Sequence, residues 1–321
     1  MIHTGGAQTS LALRQVETPE PGNGQLLVRM RAAGINRGEF MVGHGLLKAG
    51  AVKSIGLEIS GEVVSIGPGV NGFAAGQRVL GRAPAAFSTY ALMDVREAMP
   101  MPAHLSWEQA AAVPVTFIAA YEMLIANGRL ATGEWLLVTA VTSGVGIAAL
   151  QAGKILDTKV IGTSGSGEKL RKLEALGLDL AIQTRSPDFY DAVMAATGQH
   201  GVDMAVNNVG GSVFAECVRC LSPMGRLATI GYVDGVLEAP MNIEALHARR
   251  LKIFGMSNKF LNNGQRAAAA EGFITTLFPA IADGSIQPIV DRTFAFEDLA
   301  AAKAYVESNA QLGKVVLRGP L

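Results

Sequence analysis

The stretch at residues 134–153, EWLLVTAVTSGVGIAALQAG, constrains the fold more than any other part of the chain. Trp135, Leu136, Leu137 and Val138 make a continuous apolar run of the length of a buried strand. Small residues at Ala140, Ser143, Gly144 and Gly146 then mark a tight turn, and Ile147 opens an apolar helix. A strand feeding a helix through such a turn lets backbone N–H groups approach a pyrophosphate, and the helix N-terminus adds a partial positive charge. The stretch points to a dinucleotide site, with Ser143, Gly144, Val145 and Gly146 around the phosphates. It departs from G-x-G-x-x-G, because Val141 and Ser143 stand where the first two glycines would be, and such turns also occur for helix–strand packing alone.

The next strand, residues 159–163, follows at the distance of a βαβ unit. A site that prefers NAD carries Asp or Glu at the end of this strand for the ribose 2′-hydroxyl. Here GTSGSGEK at 162–169 offers hydroxyls and a lysine. Thr163, Ser164 and Lys169 suit a 2′-phosphate, so NADP(H) is expected. For Lys169 the plain alternative is a solvated helix face beside Glu168.

A chain of 321 residues fits about two domains. Lys plus Arg and Asp plus Glu balance at 27 each, which supplies no polybasic patch for nucleic acid or an anionic membrane and leaves small molecules as partners. Cys217 and Cys220 are the only cysteines, as suits a reducing cytoplasm without a disulfide framework. They form a C-x-x-C, but within FAECVRCL at 214–221, which reads as a helix burying one face. The N-terminus has no basic and apolar leader, and the longest apolar stretch, around 110–120, is broken by Pro114 and falls short of the roughly 18–20 residues a span requires. A cytoplasmic protein is expected.

Residues 11–92 are β-rich and punctuated by glycine turns, as in a compact antiparallel barrel. From 117 to 255 strands at 134–140, 159–163, 180–183, 202–207, 226–231 and 251–255 alternate with helices, the doubly wound pattern. The tail returns to strands at 286–290 and 313–317 around a helix at 297–308, and is expected to rejoin the first domain.

This order of landmarks resembles the medium-chain dehydrogenase/reductase superfamily, and within it the zinc-independent quinone oxidoreductase-like enzymes. The resemblance rests on AGINRGE at 33–39, GLEISGEV at 56–63, GQRV at 76–79, FSTY at 87–90, PVTFIAAY at 114–121, the turn at 140–146, TSGSGEK at 163–169, NVGG at 208–211 and GKVVL at 313–317. It implies the α/β class: a GroES-like β-barrel catalytic domain plus a Rossmann doubly wound parallel sheet. The implied boundaries are 1–116, completed by 256–321, for the catalytic domain and 117–255 for the NADP(H)-binding domain.

Zinc alcohol dehydrogenases of the superfamily carry an early cysteine and a later Gly-His-Glu, because zinc must polarise the alcohol oxygen. The corresponding positions here are Asn36 and Leu57, and residues 80–86 run straight into Phe87 with no cysteine-rich loop for a structural zinc. His3, His44, His104, His200 and His247 are scattered without ligand spacing. No metal is expected. A nicotinamide hydride still transfers to a quinone, or to the β-carbon of an α,β-unsaturated carbonyl, if the protein supplies orientation, a dry site and a donor for the oxyanion.

The resemblance implies site residues as well. Asn36 faces the nicotinamide and substrate and donates its amide to a ribose or carbonyl oxygen, or else is a turn residue. Thr116 lies near the nicotinamide ring, or caps the helix before Phe117, or does both. Glu39 is an acidic residue of the catalytic site or a solvated carboxylate. The family's quinone reductases often place a tyrosine shortly after this motif, whereas residues 40–47 have none; His44 lies in that segment and either donates a proton near neutral pH or is structural. Asn208, Gly210 and Gly231 mark the carboxyl ends of Rossmann strands, where the ligand crevice forms. Lys314 matches a lysine that reaches the nucleotide, or is an exposed strand lysine. Arg185 takes the place of a tyrosine often found near the 2′-phosphate.

The leading expectation is an NADPH-dependent reductase of quinones or activated alkenes, with a small electrophilic acceptor as its partner. An enoyl-thioester reductase is the close alternative, a low-turnover NADPH-binding redox sensor belongs to another class, and a zinc alcohol dehydrogenase is a fourth reading. Family members pair through the edges of their Rossmann sheets, so a homodimer is expected, with residues 239–243 at its interface.

Overall fold

The computed structural model describes residues 2–5, 8–41 and 52–320. In chain order the first strands are β1 (Ile2–Gly5), β2 (Gln8–Leu11), β3 (Gln25–Ile35), β4 (Val52–Lys53), β5 (Glu58–Ile66), β6 (Arg78–Arg82), β7 (Tyr90–Asp94) and β8 (Ala98–Pro100). Helices α1 (Trp107–Ala111) and α2 (Pro114–Tyr121) and a π-helical turn (Glu122–Asn127) follow. The alternating part runs β9 (Trp135–Val138), α3 (Gly144–Ile155), β10 (Lys159–Ser164), α4 (Gly167–Glu174), β11 (Leu180–Gln183), α5 (Tyr190–Ala196), β12 (Val202–Asn207), α6 (Gly211–Cys220), β13 (Leu221–Thr229), α7 (Ile243–Ala248) and β14 (Lys252–Gly255). The chain ends with α8 (Asn263–Thr276), α9 (Phe278–Ala282), β15 (Val290–Phe294), α10 (Leu299–Glu307) and β16 (Lys314–Arg318).

Two compact units result, one of Met1–Ile118, Lys259–Ile274 and Gln287–Leu321, the other of Ala119–Asn258 and Thr275–Ile286. The sequence pattern assigns all of 256–321 to the first. Residues 256–258 and Thr275–Ile286 pack instead with the second, where Ile281 and Ile286 are fully buried.

In the first unit the main sheet has the order β15-β16-β3-β5-β6-β8, with β7 also paired to β3. All of its pairings are antiparallel except the parallel β15·β16. Strand β3 organises it. Its first half pairs with β7 and its second half with β16, while β5 runs along its other side with register shifts between Leu27/Val28 and Met30/Ala32. Such bulges bend a strand and increase its twist, which lets one long strand serve two neighbours on the same edge. Leu26, Val28, Met30 and Ile59 pack inside with Val315 and Leu317, so the tail does complete this core.

The second unit is a six-stranded parallel sheet of order β11-β10-β9-β12-β13-β14. That is the doubly wound order, and it reverses at β9 and β12, whose carboxyl ends form the switch point. The runs Leu136–Val138 and Met204–Val206 are fully buried, as expected for strands covered on both faces. Strand β13 begins at Leu221 and ends at Thr229, earlier at both ends than the 226–231 read from sequence. Residues 286–289 are not a strand: the Ile286 N–H turns back to Ala280, Pro288 has no N–H, and pairing starts at Val290. The expected helix at 297–308 is a 3-10 turn (Phe296–Asp298) leading into α10. No described helix is long and apolar enough to cross a membrane.

Candidate functional site

Register in the first unit brings four polar side chains together. Ile35 at the end of β3 pairs with Val315 of β16, so Asn36 and Lys314 become neighbours, and Glu58 opens β5 on the other side of β3. The 3-10 turn Arg37–Glu39 folds Glu39 back, so that its Oε1 accepts the Asn36 backbone N–H at 3.0 Å and Asn36 Nδ2 at 2.8 Å. Asn36 Nδ2 also donates to Glu58 Oε1 at 2.9 Å, and Asn36 Oδ1 accepts from Lys314 Nζ at 2.5 Å. Lys314 Nζ lies 2.6 Å from Glu58 Oε1. Glu58 Oε2 accepts the Val115 N–H at 2.7 Å, placing a carboxylate at the start of α2, where orphan N–H groups and the helix dipole favour it.

Glu39, Glu58 and Lys314 are only 2%, 0% and 4% exposed. Three sequence readings change accordingly. Lys314 is not an exposed strand lysine, Glu39 is not solvated, and Asn36 spends both amide hydrogens on carboxyl groups, leaving none for a ribose or carbonyl oxygen. Burial raises the Glu39 carboxyl to about 7, opposed by the Asn36 bond and the charge of Lys314 and reinforced by Glu58. Thr116 is buried inside α2 and donates to the Ala112 carbonyl at 2.8 Å, so it is not the helix cap. His44 lies outside the described residues.

In the second unit the turn after β9 has the close packing that a phosphate cradle needs. A Cβ on Gly146 would lie 2.5 Å from the Ala140 carbonyl oxygen, so only glycine lets α3 start this near the strand. Ser143 caps α3 by accepting the Gly146 N–H at 3.0 Å. The Gly146 N–H, expected to face the pyrophosphate, is therefore taken, and those of Gly144 and Val145 remain for it. The Val141 N–H bonds to the Thr163 carbonyl at 3.0 Å and fixes the turn against β10.

At the end of β10, Thr163 and Ser164 are buried, and Ser164 Oγ is engaged by Thr142 Oγ1 at 3.1 Å and the Ser166 N–H at 3.3 Å. The exposed Arg185 lies across Gly165, where a Cβ would come 2.5 Å from Cζ. Arg171, which sequence reasoning missed, reaches over Gly167, where a Cβ would come 3.6 Å from Nη1. Lys169 is half-buried, its backbone N–H on Ser166 Oγ, and Glu168 pairs with Lys172 at 2.8 Å. Two guanidinium groups thus lie beside the small-residue turn after β10.

Asn208 turns inward, its Nδ2 on the Thr139 carbonyl at 2.8 Å, which ties the ends of β9 and β12 together at the switch point. Gly210 has φ +134°, and a Cβ there would meet Asp234 Oδ1 at 2.0 Å. Gly231 lies beside the Asn208 carbonyl. Glu58 was legible only as part of the stretch at 56–63, where it opens the strand just before the apolar Ile59.

Cys217 and Cys220 are both buried, and desolvation pushes both thiols up, Cys220 to about 12, so they pack and do not react. Among the described residues no three His, Cys, Asp or Glu side chains gather in a way that could hold a metal ion.

Residues 22–103 match the family described as "Alcohol dehydrogenase GroES-like domain", and residues 176–317 match "Zinc-binding dehydrogenase". A component of the phenolphthiocerol/phthiocerol polyketide synthase of Mycobacterium tuberculosis is 30% identical over 98% of this chain, which spans 14% of that protein's length. The quinone oxidoreductase of Escherichia coli, solved with NADPH, is 26% identical with a TM-score of 0.85, covering 99% of each chain. The CurK enoyl reductase superposes with a TM-score of 0.86 over 99% of each chain at 22% identity, a likeness of fold.

Proposed function

This chain belongs to the medium-chain dehydrogenase/reductase superfamily, and from that premise we propose that it is an NADPH-dependent oxidoreductase that reduces a quinone or an α,β-unsaturated carbonyl without zinc. The observation that carries the reading is Asn36. Where zinc members have a cysteine ligand, this amide is closed into a buried network with Glu39, Glu58 and Lys314 and offers no thiolate to a metal. A substrate reduced without a Lewis acid must already be electrophilic, as quinones and conjugated carbonyls are.

The residues of the second unit fit the proposed cofactor. Gly144 and Val145 N–H groups at the start of α3 would hold the pyrophosphate, and Arg185, Arg171 and Lys169 around the turn after β10 would hold a 2′-phosphate. The bound nicotinamide supplies the hydride. The chain itself orients the cofactor and keeps water from the reacting carbon.

A second reading, an enoyl-thioester reductase, is favoured by the match to part of a polyketide synthase across 98% of this chain, since polyketide assembly proceeds on thioesters. One experiment separates the readings. NADPH oxidation is followed with 9,10-phenanthrenequinone, a 2-alkenal and a short enoyl-CoA in parallel. Turnover with the quinone or alkenal supports the first, turnover with enoyl-CoA alone supports the second, and none with any acceptor refutes both.

A further inference from the structure

We propose that Asp234 is a positioning residue for the nicotinamide half of the cofactor: its carboxylate clips the loop after β13 to the first turn of α6 and so fixes the surface on which that half would lie. This rests on the cofactor reading above. Sheet order gives the direction. With the 2′-phosphate at the turn after β10 and the pyrophosphate at the start of α3 after β9, the rest of the dinucleotide would extend the opposite way, over the carboxyl ends of β12 and β13. Two turns form that edge, residues 208–211 after β12 and residues 230–236 after β13.

The first turn is held from within. Asn207 is fully buried, accepts the Val209 and Gly210 N–H groups on Oδ1, each at 3.0 Å, and donates to the Gly210 carbonyl at 2.9 Å. The second turn has no such anchor, because none of residues 230–236 is buried and Val233, Gly235 and Val236 are exposed. Its backbone joins the first turn through Ile230 N–H to the Asn207 carbonyl at 3.1 Å, Asp234 N–H to the Val209 carbonyl at 3.1 Å and Gly211 N–H to the Val236 carbonyl at 3.0 Å.

The Asp234 side chain adds charge-assisted bonds to this seam. Oδ2 accepts the Ser212 N–H at 2.9 Å and its hydroxyl at 2.5 Å, and Oδ1 accepts the Val236 N–H at 2.9 Å. One carboxylate thus bonds α6 and its own loop at once. The N-cap of α6 is Gly210, which has no side chain to cap with, so Asp234 does that work from another loop. Only a glycine admits it: a Cβ on Gly210 would lie 2.0 Å from Asp234 Oδ1. With a carboxylate already there, the start of α6 does not compete with α3 for the pyrophosphate.

Without the carboxylate the loop would keep its backbone bonds but populate other arrangements, and a cofactor that needs one of them binds more weakly in proportion to its population. Losing a charge-assisted bond shifts such a balance about 10- to 100-fold.

Two ligands, titrated calorimetrically into wild type and variants, test this: NADPH, and 2′-phospho-ADP, which is the same molecule cut after its pyrophosphate. Asp234→Ala should weaken NADPH by about tenfold or more and leave 2′-phospho-ADP unchanged. Asp234→Asn, which keeps one oxygen for Ser212, should fall between. A carboxylate that serves only the fold would lower both affinities together or neither, and either result overturns the proposal. Without any cofactor, amide hydrogen exchange at Val236 and Ser212 should be about tenfold faster in Asp234→Ala, with the Gly146 amide, capped by Ser143, unchanged. Unaltered protection at Val236 also overturns the proposal. Should Asp234→Ala fail to fold, Asp234→Asn carries the same comparisons. A wild type that binds neither ligand overturns the cofactor reading and this proposal with it, whereas a wild type that binds both, with equal losses in the variant, overturns the proposal alone.

Discussion

Lys314 Nζ lies 2.6 Å from Glu58 Oε1 with the two side chains 5% and 0% exposed, joining the returning tail strand β16 to the start of β5. Removing one member leaves the other charged and buried, which costs about 3–5 kcal/mol. Lys314→Met and Glu58→Gln are each expected to unfold at markedly lower urea, while the double variant recovers most of the loss. Additive single effects would show that the pair does not act as a pair.

Glu39 makes stability depend on pH in a defined direction. Its carboxyl titrates at about 7 in the folded protein against 4.5 for the free group. A carboxyl raised on folding stabilises the fold fully below its unfolded value, and that contribution is lost as pH rises through the folded one. At about 1.4 kcal/mol per unit, the stability of wild type relative to Glu39→Gln should fall by about 3 kcal/mol between about pH 4 and about pH 8. Urea melts of both proteins across that range check it, and a constant difference would contradict it.

Arg185 is expected to separate the two nicotinamide cofactors, because its side chain lies on Gly165 at the turn after β10. Losing a charge-assisted contact to phosphate costs about 1.5–3 kcal/mol, so Arg185→Ala should weaken NADPH about 10- to 100-fold. NADH affinity should not change. Fluorescence titration of both cofactors tests this, and equal losses for the two would assign Arg185 to packing.

The second unit exposes Leu237 at 74% and Ile243 at 67%, near Val233 and Val236, and β14 is the edge of its sheet. A homodimer would cover such a face. Light scattering should give twice the 33.5 kDa chain mass, and Leu237→Asp with Ile243→Asp should return it to one. A monomeric wild type would refute the dimer.

Much of the fold was legible because it is local. Apolar runs such as Leu136–Val138, the small residues at 140–146 and strand–helix alternation all show in neighbouring letters, and the doubly wound sheet follows from them. The return of Thr275–Ile286 to the second unit was hidden, because where Ile281 and Ile286 are buried depends on long-range packing. The cradle was readable in outline, yet which hydroxyl serves the protein itself was not: Ser143 and Ser164 are both consumed locally. Sequence reading picked Asn36, Glu39 and Lys314 singly, with roles facing outward. Their connection through Glu58 spans residues 36 to 314 and arises only from the β3 register with β5 and β16.

Metal dependence tests the central claim most directly. NADPH-dependent reduction of a 2-alkenal should be measured on chelator-treated protein whose zinc content has been determined in the same sample. Full activity with far less than one zinc per chain is the predicted result. Activity that disappears on chelation and returns with added zinc would contradict the account.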